Sequence, residues 1–149
     1  MKSKYIKHLL FLTLFAMSFN NATCQEDEIR ITSLSDKEIN ESGANKLIFA
    51  KDINEVYRLA KSDIKAERPF LNILGGAAPS FSIDQLNFEK KFKVYYYRHG
   101  DSSPKVEYVI AYNHLILDFI YELHGEKIIK EVSNDVAGIK TWKNKRNDK

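Results

Sequence analysis

The chain has 149 residues, with 23 lysines and arginines, 20 aspartates and glutamates, and a single cysteine. Its formal charge of +3 comes from Lys2, Lys4 and Lys7, so the remainder is balanced and offers no basic surface for nucleic acid. Beyond the first segment no apolar run reaches membrane-spanning length, and the roughly 125 residues that follow suffice for one core and only one.

The first residues have the three-part form of an export signal. The three lysines make a basic start, Leu9 to Phe19 a short apolar stretch, and Ala22-Thr23-Cys24 small residues at a cleavage point. Gln25 is then the new N-terminus, residues 1–24 are a signal peptide, and the mature chain is secreted or periplasmic. Cys24 offers an alternative, a lipid anchor that would make the chain a membrane-bound lipoprotein. Against it, Asn21 stands where such signals carry an apolar side chain. In either case the mature domain has no disulfide and is held by its core.

Residues 25–45 are polar and begin acidic, and they read as a loosely attached arm. Ile29 and Ile31 are candidates for a short edge strand, and Ser35-x-x-Glu38 resembles a capping box for one helical turn. Asn40-Glu41-Ser42 matches a glycosylation sequon, relevant in a eukaryotic source. The domain proper is expected over residues 46–142, with 143–149 a basic tail that frays.

Leu47-Ile48-Phe49-Ala50 reads as the first strand. Asp52-x-x-Glu55 opens a helix on which Ile53, Val56, Tyr57, Ala60 and Ile64 recur at helical spacing, and Arg68-Pro69 closes it. Phe70 to Leu74 is apolar on both faces except at Asn72, as in a central, covered strand. Gly75-Gly76-Ala77-Ala78-Pro79 is a loop, and Ser82-x-x-Gln85 caps a short helix. Phe92 to Tyr97 is an aromatic strand, broken by the turn residues His99 to Ser103.

Ser103 is expected to cap the next helix, with Pro104 in its first turn and Gly125 as its left-handed stop. That helix, Lys105 to His124, is apolar over more than half its circumference and should be central. Beyond it Ile128, Ile129, Val132, Val136 and Ile139 keep helical period across an interruption at Ser133-Asn134, and Trp142 pins the end to the core. The alternation predicts a small α/β domain with a mainly parallel sheet of three or more strands covered by helices. The alternative is an α+β arrangement with the Phe70 and Phe92 strands antiparallel.

The strings FEKKFKVYYYRHG, AYNHLILDF, HG and DVAGIKTW resemble a group of small exported bacterial proteins with no assigned activity. The resemblance spans about Phe70 to Trp142 and implies export and one domain. It implies no chemistry and carries no functional residue with it.

In a parallel sheet the turns at Lys51-Asp52, Gly75 to Pro79 and Arg98 to Ser103 share one rim, where ligands of such folds bind. Arg98, His99, Asp101 and Ser102 bring a guanidinium, an imidazole, a carboxylate and a hydroxyl to a helix start, a setting suited to an anion or a carbonyl. Gly75 and Gly76 let backbone N–H groups come close. Asn113 falls in the apolar arc of the long helix and is either a clamp to neighbouring backbone or a site residue. These seven residues form the binding set. No catalytic residue is assigned, with His99 and Asp101 the candidates and plain turn chemistry their competing explanation.

His114, Asp118 and Glu122 share a helix face. Without a second histidine at matching spacing or a His-Glu-x-x-His string they read as a solvated stripe, and no metal or cofactor is expected. No Gly-x-Ser-x-Gly elbow occurs, and Cys24 leaves with the signal. Tyr95 to Tyr97 suit core packing or, on an exposed face, stacking against sugars. The expectation is an exported, non-catalytic binding domain of the cell envelope or extracellular space, with an unknown protein or small ligand as partner. The alternative is a small hydrolase or transferase using His99 and Asp101 for proton transfer, with Arg98 holding an anionic group.

Overall fold

The computed structural model describes residues 34–75 and 81–147. The expected signal segment with Cys24, the expected Ile29–Ile31 strand, and Gly76 to Pro79 lie outside the described residues. In chain order the elements are α1 (Asp36–Glu41), α2 (Gly43–Lys46), a 3₁₀ turn (Leu47–Phe49), α3 (Ile53–Lys65), β1 (Phe70–Ile73), α4 (Ile83–Phe92), β2 (Tyr95–Arg98), α5 (Val106–His124), α6 (Glu126–Glu131) and α7 (Ile139–Asn147).

The architecture is a correction to the expected sheet of three or more strands. The described chain is mostly helical, and its sheet is one parallel pair, β1 beside β2, with Phe70 opposite Tyr95 and Ile73 opposite Arg98. A lone antiparallel bridge, Ile73 to Val136, touches the free side of β1. The predicted first strand is absent because Ser42 accepts from the Asn45 N–H and starts α2, and the helical twist runs on through Leu47. Of that apolar run Leu47 is buried, while Ile48 and Phe49 face outward. Phe92, expected in a strand, instead closes α4, where Lys93 turns the chain at φ 55° and donates its N–H to Glu89 O. The second strand therefore starts only at Tyr95.

Helix α5 is the hub. Val109, Tyr112, Asn113, Ile116, Leu117 and Ile120 are buried along it, and it packs on α3, β1, α6 and α7. Ser103 does not cap it. Lys105 occupies the cap position without a side-chain hydrogen bond, and Pro104 is buried ahead of the helix. Gly125 ends the helix at φ 64°.

The segment expected as a loose arm is packed from Leu34 onward. Ser35 and Glu38 form the capping box of α1, and Glu38 also pairs with Arg68 at 2.6 Å. The first amides of α2, Gly43 and Ala44, donate to the buried carboxylate of Asp63 at 2.7 and 3.0 Å, and the Tyr112 hydroxyl donates to the same group. A side chain at Gly43 would run into the Leu59 carbonyl, so glycine sets how closely α2 lies on α3. The basic tail is likewise helical to Asn147, with the Arg146 guanidinium 3.6 Å from the centre of the Tyr121 ring and 4.7 Å from that of Trp142.

A ribbon two strands wide presents unpaired backbone groups along both outer edges, and burying them bare would be costly. Side chains, with one backbone amide, pair with groups on both edges. On β1, Asn113 accepts the Asn72 N–H at 2.8 Å, and the Asn72 carbonyl takes the Ala137 N–H at 3.1 Å. On β2, the Tyr96 N–H donates to Oε1 of Glu89 at 2.8 Å.

Candidate functional site

Parallel pairing sets the C-terminal ends of β1 and β2 side by side, so the chain leaves Ile73 and Arg98 at one end. Gly75 and His99 therefore lie at the same rim. The third expected turn also reaches the start of α5, since the Tyr108 hydroxyl donates to Lys51 O at 3.0 Å, although it follows a 3₁₀ turn and not a strand. Gly75 is exposed with φ 77°, and Gly100 turns at φ 58°.

Strand alternation divides the side chains that the sequence grouped here. Arg98 shares a face with Tyr96 and reaches toward Phe81, its guanidinium carbon 5.7 Å from the ring centre. His99 takes the opposite face with Tyr97, ring centres 4.9 Å apart, and its Nε2 lies 2.9 Å from Asn72 Oδ1. Asp101 and Ser102 are exposed in the turn between. The structure thus joins His99 to Asn72 and Asn113 and leaves Arg98, Asp101 and Ser102 apart from them.

The joined residues form a hydrogen-bond chain with one direction. Asn113 Nδ2 donates to Asn72 O and Ala137 O, both at 2.9 Å, which uses both amide hydrogens. Asn113 Oδ1 then accepts from Asn72 N and, at 3.0 Å, from Asn72 Nδ2. That fixes the Asn72 amide with Oδ1 as the acceptor facing the imidazole. Nε2 of His99 must carry the hydrogen, and Nδ1 keeps a lone pair. Burial lowers the imidazole to about 4, so the ring is neutral at physiological pH. Nδ1 has no hydrogen-bond partner among the described residues.

The sequence marked Asn113 and His99 but not Asn72, the piece between them. Its signal was present as the one polar residue in an apolar strand. The partnership across 41 positions was not visible. Two buried carboxylates went unmarked as well. Asp63 is raised above its usual range, mainly by burial, as is Glu89, which is pushed up to about 7.

An open groove of about 490 Å³ runs along α5 between Tyr57, Glu107, Ala111, His114, Asp118 and Lys145. Much of the expected solvated stripe is occupied. His114 Nε2 lies 3.1 Å from Gly138 O, and Asp118 Oδ1 accepts from Trp142 Nε1 at 2.9 Å and from Arg146 at 3.3 Å. These bonds dock α7, and Glu122 alone of the three is exposed without a hydrogen-bond partner among the described residues. Among the described residues no group of three or more His, Cys, Asp or Glu side chains is placed to hold a metal, and no helix is long and apolar enough to cross a membrane. No family model, curated protein or solved structure matches this chain.

Proposed function

We propose that the chain is an exported, non-catalytic binding domain of the cell envelope or extracellular space, and that its ligand donates a hydrogen bond to Nδ1 of His99. The observation that carries this reading is the one-way chain from Ala137 O through Asn113 and Asn72 to the imidazole. It presents a neutral acceptor of fixed orientation at the end of a parallel strand pair, where ligands of sheet proteins commonly bind. Export rests on the basic, apolar and small-residue segments ahead of Gln25.

The competing hydrolase or transferase would need His99 to take up and return a proton beside Asp101. An imidazole lowered to about 4 is a weak base at neutral pH, its Nε2 is committed to Asn72, and Asp101 makes no bond to it. Arg98, cast as the anion holder, lies on the other face of the sheet.

The test is a titration of the mature chain, followed by amide chemical shifts, with two kinds of neutral donor: N-acetylated sugars and short peptide amides. Saturable shifts are expected at residues 98–103 and at Leu74 and Gly75. His99→Phe, which keeps a ring against Tyr97, should abolish them. Shifts confined to the groove along α5 would contradict the reading. So would substrate turnover by the wild type that disappears in the double variant His99→Ala, Asp101→Ala while the melting temperature holds.

A further inference from the structure

Glu89 lies in the last turn of α4 with 3% of its surface exposed. Its Oε1 accepts the Tyr96 N–H, the outward amide of β2, whereas Oε2 is buried with no hydrogen-bond partner. A buried carboxylate with one bare oxygen is poorly solvated. The neutral acid satisfies the same amide without carrying a charge into the interior.

Among the described residues no cation is paired with that carboxylate, and Arg98, the cation of β2, reaches toward Phe81. On its own helix Lys91 is paired with Glu131 at 2.6 Å, and Lys93, just past the helix, is exposed. From β2 comes Tyr96, whose hydroxyl accepts the Ser133 N–H. The end of α6 adds the acidic Glu131 and the segment after it Asp135, and from α5 His124 packs edge-on against Phe92 with ring centres 5.1 Å apart. Burial raises Glu89 to about 7 against the opposing pull of the Tyr96 N–H.

We propose that Glu89 is a proton-operated latch: protonated, it holds the last turn of α4 on the edge of β2, and on losing its proton it lets that turn open while α5 and its core contacts stay closed. The same turn is held to the end of α6 through Lys91–Glu131, and the first turn of α4 to the segment after α6 through Gln85 Nε2 donating to Ser133 Oγ at 3.2 Å, so opening works against both. Because the folded value lies above the ordinary 4.5, the stabilisation is complete below about pH 4.5 and is lost as pH rises through about 7. The latch stands independently of what binds at His99, since it concerns the opposite edge of the ribbon.

Native-state amide exchange at pH 5.5 and 8.5, corrected for intrinsic rates, tests it. By linkage the opening equilibrium for the amides of Tyr96 and residues 92–94 should rise about 30-fold between the two pH values. Those of α5 around Ile116 should stay level. Glu89→Gln, which keeps the shape and cannot ionise, should remove the rise. An equal rise in Glu89→Gln, or none in the wild type, overturns the latch. Should the variant fail to fold, the carbon-13 titration of the Glu89 carboxyl in the wild type decides: a midpoint near 7 supports the latch and one near 4.5 overturns it.

Discussion

Asn113 gives both amide hydrogens to backbone carbonyls and takes an N–H from the backbone and another from the side chain of Asn72 in return. It is wholly buried, so none of these groups has water as an alternative partner. Asn113→Leu fills the space and strands Asn72 N, Asn72 Nδ2 and the Ala137 carbonyl. Urea unfolding should report a loss of about 2–4 kcal/mol, with a loss below about 1 kcal/mol arguing that the edge of β1 finds other partners. The need for a partner was legible from Asn113 alone, since an amide in an apolar helical arc must bond to something. Which partner was not legible. Asn72 and the chain around Ala137 arrive from distant parts of the sequence, and nothing local selects them. Glu89 was hidden for a related reason: a glutamate flanked by Phe88 and two lysines looks like a surface residue until β2 is laid against it.

At the scale of elements, three caps were readable although Ser103 does not cap α5, and two strands were readable in place but not the extent of the sheet. Ser35 with Glu38, Asp52 with Glu55 and Ser82 with Gln85 all start helices as their spacing predicts, because a cap is settled within four residues. Leu47 to Ala50 and Phe92 were misread because a four-residue apolar run has no period of its own, and its neighbours decide whether it coils or extends. Here the preceding helix imposed its twist on the first run, and α4 absorbed Phe92. Gly43 shows how tightly such neighbours are set. Gly43→Ala must push α2 off α3 and pull the two amides away from Asp63. Thermal or urea unfolding should show a cost of about 1–3 kcal/mol. A neutral outcome would mean that α2 shifts freely over Leu59 and that Asp63 does not depend on its placement.

Across the described residues, helices pack on a parallel ribbon too narrow to seal itself, and side chains with the Ala137 amide stand in for missing strands. The sequence conveyed alternation of strands and helices and a rim where chain segments turn. It overstated the sheet, because strand count depends on which apolar runs extend. The rim survives that correction, since a parallel pair alone brings Gly75 and His99 to one end. What the rim offers differs from the expected cluster of charges: one neutral imidazole, oriented by two asparagines and shielded enough to stay uncharged. Its lowered value means that its contribution to stability is present above about pH 6.5 and is lost as pH falls toward 4.

The most direct test is a nitrogen-15 NMR titration of the His99 ring in the chain from Gln25 onward, without added ligand. Hydrogen on Nε2, a bare Nδ1 and no protonation until about pH 4 are expected from the chain of bonds through Asn72 and from burial. Hydrogen on Nδ1, or a midpoint near 6.5, would contradict it and would return His99 to the role of an ordinary titrating residue in a surface turn.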